Sequence, residues 1–284
     1  MFDFVKATTY DKLTFKSLLN NPLLEFIKHI NTKTWEIEHT GKFKGLTIKL
    51  FSSGRIQIAG SLHKYYNDGL HNWNDFTVSN LKDVLNSLKT DLEIDLVKAS
   101  INNVEFGVNI ITPFYPNDLI NDLLCLKWEQ FNVMGVKGQG QGKECKEFNQ
   151  YYVKIYNKGL QYYQPENILR VEKKVVTMVA LKFGLLNLSD LLNPDLWQHC
   201  KNELINMLDE ILINEPINIQ SLTKNEKRIY NTVTNQRNWV DLDRYKKTRY
   251  KKAFNEIISK YGQQQYRPII ISLINEKFDQ LINA

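Results

Sequence analysis

The sequence lacks the features that would place a protein in a membrane or outside the cell. No run of apolar residues approaches the length of about eighteen that a transmembrane helix needs. The first residues show no basic segment followed by an apolar one, so no signal peptide is expected. Cysteine is scarce, and Cys125, Cys145 and Cys200 are odd in number and lack zinc-ligand spacing. These absences favour a protein of a reducing cytosol.

Several familiar site motifs are missing as well. The glycine-rich run at 135–142 is not a Walker A phosphate loop, because Gly142-Lys143 is followed by Glu144 and no glycine lies five positions before Gly142. A flexible hairpin tip is the simpler expectation for this run. The sequence contains no His-apolar-His motif and no evident internal repeat.

Positive charge is abundant only in the C-terminal part of the chain. Residues 222–267 contain twelve Lys or Arg and four Asp or Glu, so this segment carries +8 while the rest nets −2. A basic segment beside a near-neutral body suggests a polyanionic partner such as DNA. A solvated helical face is the alternative. The basic residues singled out as DNA contacts are Lys246, Lys247, Arg249, Lys251 and Lys252.

The residue pattern predicts an α+β fold. Alternating apolar residues predict strands at 33–39, 44–51, 54–60, 98–111, 150–157 and 167–176. Helical spacing predicts helices at 10–30, 77–88, 116–128, from 177 to about 213, and at 223–235, 240–260 and 267–282. A polar, aromatic loop is expected at 61–76. This order is compatible with a ferredoxin-like central antiparallel sheet with flanking helices, followed by a C-terminal helical region. The predicted boundary separates residues 1–213 from 214–284.

The most informative segment is Tyr-Tyr-Val-Lys-Ile-Tyr-Asn-Lys-Gly at 151–159, an alternating run that ends in a tyrosine with a lysine two residues later. A second run, Leu-Arg-Val-Glu at 169–172, adds a carboxylate. A phenol beside a cation and near an acidic metal ligand suits a tyrosine that cleaves phosphodiesters. Because a phenol has a pKa of ~10, it attacks at neutral pH only where its surroundings favour the anion. Two ordinary strands, with Tyr156 packed and Lys158 in solvent, are the alternative.

Three segments upstream of the tyrosine carry further polar and aromatic residues. They are Gly-Ser-Leu-His-Lys-Tyr-Tyr-Asn at 60–67, Gly-Leu-His-Asn-Trp-Asn-Asp-Phe at 69–76 and Asn-Val-Glu-Phe-Gly-Val-Asn at 103–109. Strand spacing places Glu105 and Asn109 on one face, where a carboxylate and an amide can serve Mg²⁺ or Mn²⁺. The aromatic residues can stack on unpaired bases, although packing in the core is their commoner role.

The order of these segments resembles that of the gene II replication initiator of filamentous phages and of related phage and plasmid rolling-circle initiators. The resemblance spans roughly residues 45–195. Such proteins are divergent relatives of the HUH endonucleases. They nick one strand at an origin, become joined through a tyrosine to the 5′ phosphate, and leave a 3′ hydroxyl for the polymerase. The resemblance implies an HUH-endonuclease-like sheet, a Mg²⁺ or Mn²⁺ cofactor and a bacterial cytoplasmic location. It also implies single-stranded and duplex origin DNA as partners, with a host helicase or polymerase as further partners.

The same resemblance assigns roles to individual residues. Tyr156 matches the nucleophile and Lys158 its accompanying lysine. Glu105, Glu172 and His71 match positions that would hold the metal, although the missing His-apolar-His motif leaves the ligand set open. The residues expected to contact unpaired DNA near the site are His63 and Trp73. Tyr162 and Tyr163, which follow shortly after the motif, are rival nucleophiles.

Two other functions fit parts of the sequence. A replication initiator that binds DNA sequence-specifically without catalysis would use the basic C-terminal region and form no covalent adduct. A protein-interaction module would use that region to contact acidic partners or membrane surfaces. It would show no salt-dependent affinity for single-stranded DNA.

Overall fold

The computed structural model describes residues 2–134, 142–147 and 149–284. The hairpin tip expected at 135–142 lies almost wholly outside them. The strands in the described residues are β1 Phe2–Thr9, β2 Phe26–Ile30, β3 Ile37–Phe43, β4 Leu46–Phe51, β5 Ile56–Ser61, β6 Ser100–Ile111, β7 Leu123–Leu126, β8 Glu129–Gln130, β9 Asn132–Val133, β10 Gly142–Glu147, β11 Tyr151–Asn157, β12 Ile168–Val175 and β13 Ile211–Ile213.

The helices in the same residues are α1 Lys12–Leu19, α2 Leu62–Tyr66, α3 Val78–Thr90, α4 Pro116–Asp122, α5 Lys158–Gln161, α6 Pro194–Glu210, α7 Lys224–Thr234, α8 Arg244–Tyr261 and α9 Tyr266–Asn283. Short 3-10 segments lie at Met178–Leu181, Leu188–Leu192, Ile219–Ser221 and Gln236–Trp239. Side chains of Thr77, Thr223 and Asp243 cap α3, α7 and α8 by accepting backbone N–H bonds.

One large sheet organises the molecule. Its strand order is β2-β3-β4-β5-β1-β6-β12-β11-β10-β9, and every neighbouring pair is antiparallel. A small second sheet has the order β13-β7-β8. The expected α+β class, with a central antiparallel sheet, flanking helices and a helical C-terminal region, is confirmed.

The large sheet has one apolar and one polar face over its central strands. Val104, Phe106 and Val108 of β6 are buried in the main core, together with apolar residues of α3, α6 and α9. Side chains alternate along a strand. The residues between these positions, Glu105, Gly107 and Asn109, therefore lie on the opposite face.

The C-terminal helices do not all pack in the same place. Tyr250 and Phe254 of α8 form a second apolar cluster with Trp239, and with Cys125 and Leu212 of the small sheet. The last helix, α9, instead contributes apolar residues such as Ile270 and Phe278 to the main core. The boundary at 213/214 remains a prediction, but α9 packs with the body that precedes that boundary.

Several sequence-based element assignments were wrong in part. The helix predicted at 10–30 ends at Leu19, and Phe26–Ile30 forms strand β2 against β3. The helix predicted at 116–128 ends at Asp122, and β7 pairs with β13. In both cases a short apolar run fits helix or strand equally well, and a distant partner strand decides. The expected loop at 61–76 begins with α2, and the helical stretch to 213 ends in β13.

Cys125, Cys145 and Cys200 are buried thiols. Among the described residues, none of the helices has both the length and the apolar composition needed to cross a bilayer.

Candidate active site

Three neighbouring strands align the polar side chains of the candidate site on the polar face of the sheet. Glu172 of β12 pairs in register with Lys154 of β11 and Gly107 of β6. Two residues earlier, Arg170 pairs with Tyr156 and with Asn109. Because strand residues two apart share a face, antiparallel pairing brings these side chains into one patch.

Two further residues reach the patch from outside these strands. Asp3 lies on β1, which pairs with β6. Asn72 lies in the segment between α2 and α3, is buried, and donates from Nδ2 to Asp3 Oδ2 at 2.6 Å. Ser61 also donates a hydrogen bond to Asp3. The N-terminal strand and this segment therefore close one side of the site.

Arg170 is the central cation of the patch. Its Nε lies 2.7 Å from Glu172 Oε2, its Nη2 3.1 Å from Asp3 Oδ2, and its Nη1 3.1 Å from Asn109 Oδ1. Arg170 and Glu172 are almost wholly buried. Each of the three guanidinium nitrogens therefore donates to a protein acceptor, and the group holds the carboxylates of Glu172 and Asp3 in place.

Lys154 is the second cation. Its Nζ lies 2.7 Å from Glu172 Oε1 and 2.9 Å from Glu105 Oε2. Burial opposes the charge on Glu172, but Arg170 and Lys154 hold the pKa of that carboxyl well below its usual value. Burial, aided by the charge of Glu172 and opposed by Lys154, raises the pKa of Glu105 to about 7. The two carboxyl groups therefore differ in their readiness to ionise.

Tyr156 lies at the edge of this network. Its hydroxyl donates to Glu172 Oε2 at 3.4 Å, and Lys158 Nζ lies 3.4 Å from the same hydroxyl oxygen. Burial, with a further contribution from Glu172, raises the pKa of Tyr156 well above its usual value. The expectation that the neighbouring lysine would favour the phenolate therefore fails in the free protein. A phenol with a raised pKa stays protonated at neutral pH, so Tyr156 could act as a nucleophile only beside a group that accepts its proton.

The end of β11 and the start of α5 position Lys158 next to Tyr156. Asn157 ends β11 and caps α5 by accepting the backbone N–H of Leu160, so that Lys158 is the first residue of the short helix. Lys158 Nζ also donates to Asn72 Oδ1 at 2.8 Å and is buried. Burial, with a further contribution from Arg170, lowers the pKa of Lys158 to about 7. At neutral pH this amine is partly unprotonated and can accept a proton.

A small cavity opens beside these groups. Its volume is about 150 Å³, and Asp3, Glu105, Tyr156, Lys158 and Glu172 are among its lining residues. This space is large enough for a group the size of a phosphate.

The carboxylates of the site form a candidate metal cluster. Asp3, Glu105 and Glu172 are buried, and each offers an oxygen within 4.8 Å of the others. Oxygen donors of this kind fit a hard divalent ion such as Mg²⁺ or Mn²⁺. Each oxygen of Asp3 and Glu172 already accepts a hydrogen bond from a protein group. The donor set suits the ion, but the ion must share or displace these partners.

Neither of the two histidines expected at the site belongs to the carboxylate cluster found in the described residues. The ring of His71 lies 5.5 Å from that of Trp73, and its buried Nδ1 has no hydrogen-bond partner among those residues. Its neighbour Asn72 enters the site in its place. His63 is only 3% exposed and stacks on Phe76, so its burial argues against the expected contact with DNA.

The other candidate residues from the sequence are the two rival tyrosines, Trp73 and the basic residues of α8. Tyr162 donates its hydroxyl to Asn72 Oδ1 at 2.8 Å, and Tyr163 is 75% exposed. Trp73 is half-buried. The five basic residues singled out in the sequence lie on α8, where Lys251 pairs with Glu210 at 2.7 Å. Among the described residues, the other four form one further ion pair, between Lys246 and Asp243 at 3.7 Å.

The structure thus brings together Tyr156, Lys158, Glu105 and Glu172, four of the residues selected from the sequence. Sequence reasoning missed the site roles of Asp3, Lys154 and Arg170. The alternation of Phe2, Asp3 and Phe4 was the available signal for a strand with an acid on its polar face. No local signal shows that this strand lies in the centre of the sheet.

No protein-family model matches the chain, and no curated protein does so. Among solved structures, the chain is similar to a rolling circle replication initiator protein from Geobacillus stearothermophilus. The TM-score is 0.46 and the sequence identity 14%, over 80% of this chain and 90% of that one. A likeness at this level carries no functional conclusion.

Proposed function

We propose that the protein is a rolling-circle replication initiator of the bacterial cytoplasm that nicks and rejoins single-stranded origin DNA through a 5′-phosphotyrosine intermediate. One observation carries the proposal: the Tyr156 hydroxyl lies 3.4 Å from both Lys158 Nζ and Glu172 Oε2, at the cavity that the three carboxylates line. A nucleophile, a proton acceptor and a candidate metal site therefore converge on a space of phosphate size.

The chemistry assigns one task to each group. The phenol oxygen of Tyr156 forms a bond to phosphorus, and the bond between phosphorus and the 3′ oxygen breaks. Lys158, as the neutral amine, takes the phenolic proton and can return it to the departing 3′ oxygen. Rejoining is the reverse reaction, with the 3′ hydroxyl as the nucleophile. Lys158 therefore carries a proton between Tyr156 and the 3′ oxygen, in addition to placing a positive charge near the phenol.

Asp3, Glu105 and Glu172 would hold a Mg²⁺ or Mn²⁺ ion. Such an ion would neutralise charge on the phosphate oxygens when bound. Arg170 orients two of these carboxylates, and Asn72 links Asp3 to Lys158. The exposed basic side chains of α8 would bind the phosphate backbone of duplex DNA near the nick.

The first prediction tests the nucleophile. Tyr156→Phe should abolish covalent attachment, because the variant keeps the ring and loses only the attacking oxygen. The measurement is a denaturing gel of protein incubated with Mn²⁺ and labelled single-stranded oligonucleotides tiled across the replicon that encodes it. Tyr163→Phe is the matched control, since this exposed side chain does not line the cavity.

Tyr162→Phe separates the two nearest candidates. It removes a hydrogen bond to Asn72 and should weaken the reaction without abolishing it. An adduct in Tyr156→Phe that disappears in Tyr162→Phe would reassign the nucleophile. If all three variants form the adduct as the parent does, or if the parent forms none, an initiator that binds DNA without cutting it becomes the better description.

A further inference from the structure

Lys154 occupies the position between two of the candidate metal ligands. Its Nζ lies within 2.9 Å of oxygens from both Glu105 and Glu172. The register fixes this placement, because Lys154 lies directly opposite Glu172 on the neighbouring strand. Only 17% of the Lys154 side chain is exposed, so the ammonium is held in the cluster.

This ammonium and a divalent ion cannot use the same oxygens together. An ion held by Glu105 and Glu172 would need the space in which the ammonium lies, and two cations so close repel each other strongly in a buried site. The three carboxylates are already balanced in large part by Lys154 and Arg170. Arg170 has three acceptors and is wholly enclosed, whereas Lys154 has a flexible stem and lines the cavity. Lys154 is therefore the cation that can leave.

We propose that Lys154 is a resident cation that a divalent ion must displace, and that its displacement couples metal binding to the binding of a DNA phosphate. In the free protein, Lys154 neutralises the carboxylates and weakens their affinity for the ion. Once displaced, its ammonium remains beside the cavity without a carboxylate partner. A phosphodiester in the cavity supplies a replacement anion, so each of the two ligands favours the other.

This inference rests on the metal site of the proposed function, and it is tested by metal binding instead of by activity. Tyr156→Phe protein serves as the parent, so that DNA is not cleaved. Isothermal titration gives the affinity for Mn²⁺ with and without a single-stranded oligonucleotide. The same titrations are made on Lys154→Met and Lys154→Gln in that background. Glutamine keeps a hydrogen-bond donor without the charge and provides a second variant if methionine impairs folding.

Lys174→Met is the matched control. Lys174 lies on the same face of the sheet, 3.8 Å from Glu105 Oε2, but does not bridge the two ligands. It therefore reports the general effect of removing one positive charge near the site. Its effect on the affinity for Mn²⁺ should be clearly smaller than that of Lys154→Met.

Without DNA, removal of the Lys154 charge should raise the affinity for Mn²⁺ about tenfold or more. The oligonucleotide should raise the affinity of the parent but have little effect in the Lys154 variants. Unchanged or weaker Mn²⁺ binding in both variants would overturn the inference, as would an equal gain in Lys174→Met. If the wild-type protein forms adducts while the Lys154 variants bind Mn²⁺ with the same affinity as the Tyr156→Phe parent, the proposed function stands and this inference alone is wrong. If the parent binds no Mn²⁺, the inference and the metal part of the function fall together.

Discussion

At the scale of single residues, the site depends on matched buried charges. Arg170 donates to Glu172, Asp3 and Asn109 from one planar group, which a lysine could not do. Burying one such charge without its partner is costly, so the cations and carboxylates must fold into place together. Glu105 is the exception, because the pKa raised to about 7 allows it to take up a proton near neutrality.

Lys158 gives a prediction about pH. Its pKa falls to about 7 in the folded protein from the ordinary value of 10.5. Between these values the unfolded chain binds a proton that the folded protein has lost, so the free energy of unfolding rises with pH, by up to about 1.4 kcal/mol per pH unit. Urea unfolding of the wild type and Lys158→Met at pH 7, 8 and 9 measures the effect.

The difference between the two proteins isolates Lys158 from the other titrating groups. The wild type should gain stability relative to Lys158→Met as the pH rises from 7 to 9. The missing hydrogen bond to Asn72 in the variant adds only a constant offset to this difference. Parallel curves for the two proteins would show that Lys158 keeps its ordinary proton affinity, and the proton-carrier role would lose its support.

At the scale of elements, the packing of β6 against β12 places Glu172. Gly107 faces Glu172 across this pair. A Cβ at Gly107 would lie 2.4 Å from the Val171 carbonyl oxygen and 2.7 Å from Glu172 Cβ. A side chain can relieve such a clash by rotating, whereas two hydrogen-bonded strand backbones would have to move apart. Glycine at this position therefore allows the close approach that brings Glu105 and Glu172 to one cation.

Gly107→Ala should destabilise the protein by about 1–3 kcal/mol, because it overpacks a rigid contact. It should also reduce adduct formation, since Glu172 must move. Urea unfolding and the adduct assay measure the two effects. Gly41→Ala is the matched control on β3, where the nearest atom to a Cβ is the Phe26 ring at 3.0 Å, a side chain that can rotate. Equal destabilisation at the two glycines would contradict the importance of the close approach between β6 and β12.

At the scale of the whole molecule, the excess of positive charge lies apart from the candidate site. The basic helix α8 packs in the second apolar cluster, whereas the site lies on the polar face of the large sheet. Within α8, Lys251 is tied to Glu210, and Lys246, Lys247, Arg249 and Lys252 project more freely. These four residues are among the α8 side chains that are available to an anionic partner.

Changing these four residues to Glu should weaken duplex binding and flatten its salt dependence. The slope of log affinity against log salt should fall by about 0.9 for each phosphate that the protein no longer neutralises. Fluorescence anisotropy with a labelled duplex over a range of salt concentrations gives the slope. Changing Lys12, Lys16, Lys82 and Lys89 of α1 and α3 to Glu alters net charge equally and should leave most of the slope intact. The same reduction of slope in both variants would mean that only net charge matters. An unchanged slope in the α8 variant would show that these side chains only face solvent and do not bind the duplex.

The sequence alone determined the elements whose signal is local. The alternation along 98–111, 150–157 and 167–176 predicted β6, β11 and β12 closely, and the period of two placed Glu105 with Asn109. The basic C-terminal helices were also predicted, because helical spacing is a local signal as well. Residue types alone selected Tyr156 and Lys158, and their functional roles remain proposals.

The tertiary structure decided what depends on distant segments. The sequence around residues 23–30 and 123–126 suits helix or strand, and pairing with β3 and with β13 settled both. Asp3 entered the site because β1 lies between β5 and β6, and Asn72 entered in place of His71 because of how its segment folds over the sheet. The position of Lys154 between two carboxylates follows from strand register. Periodicity is a property of neighbouring residues, whereas register and charge pairing depend on which remote strands meet.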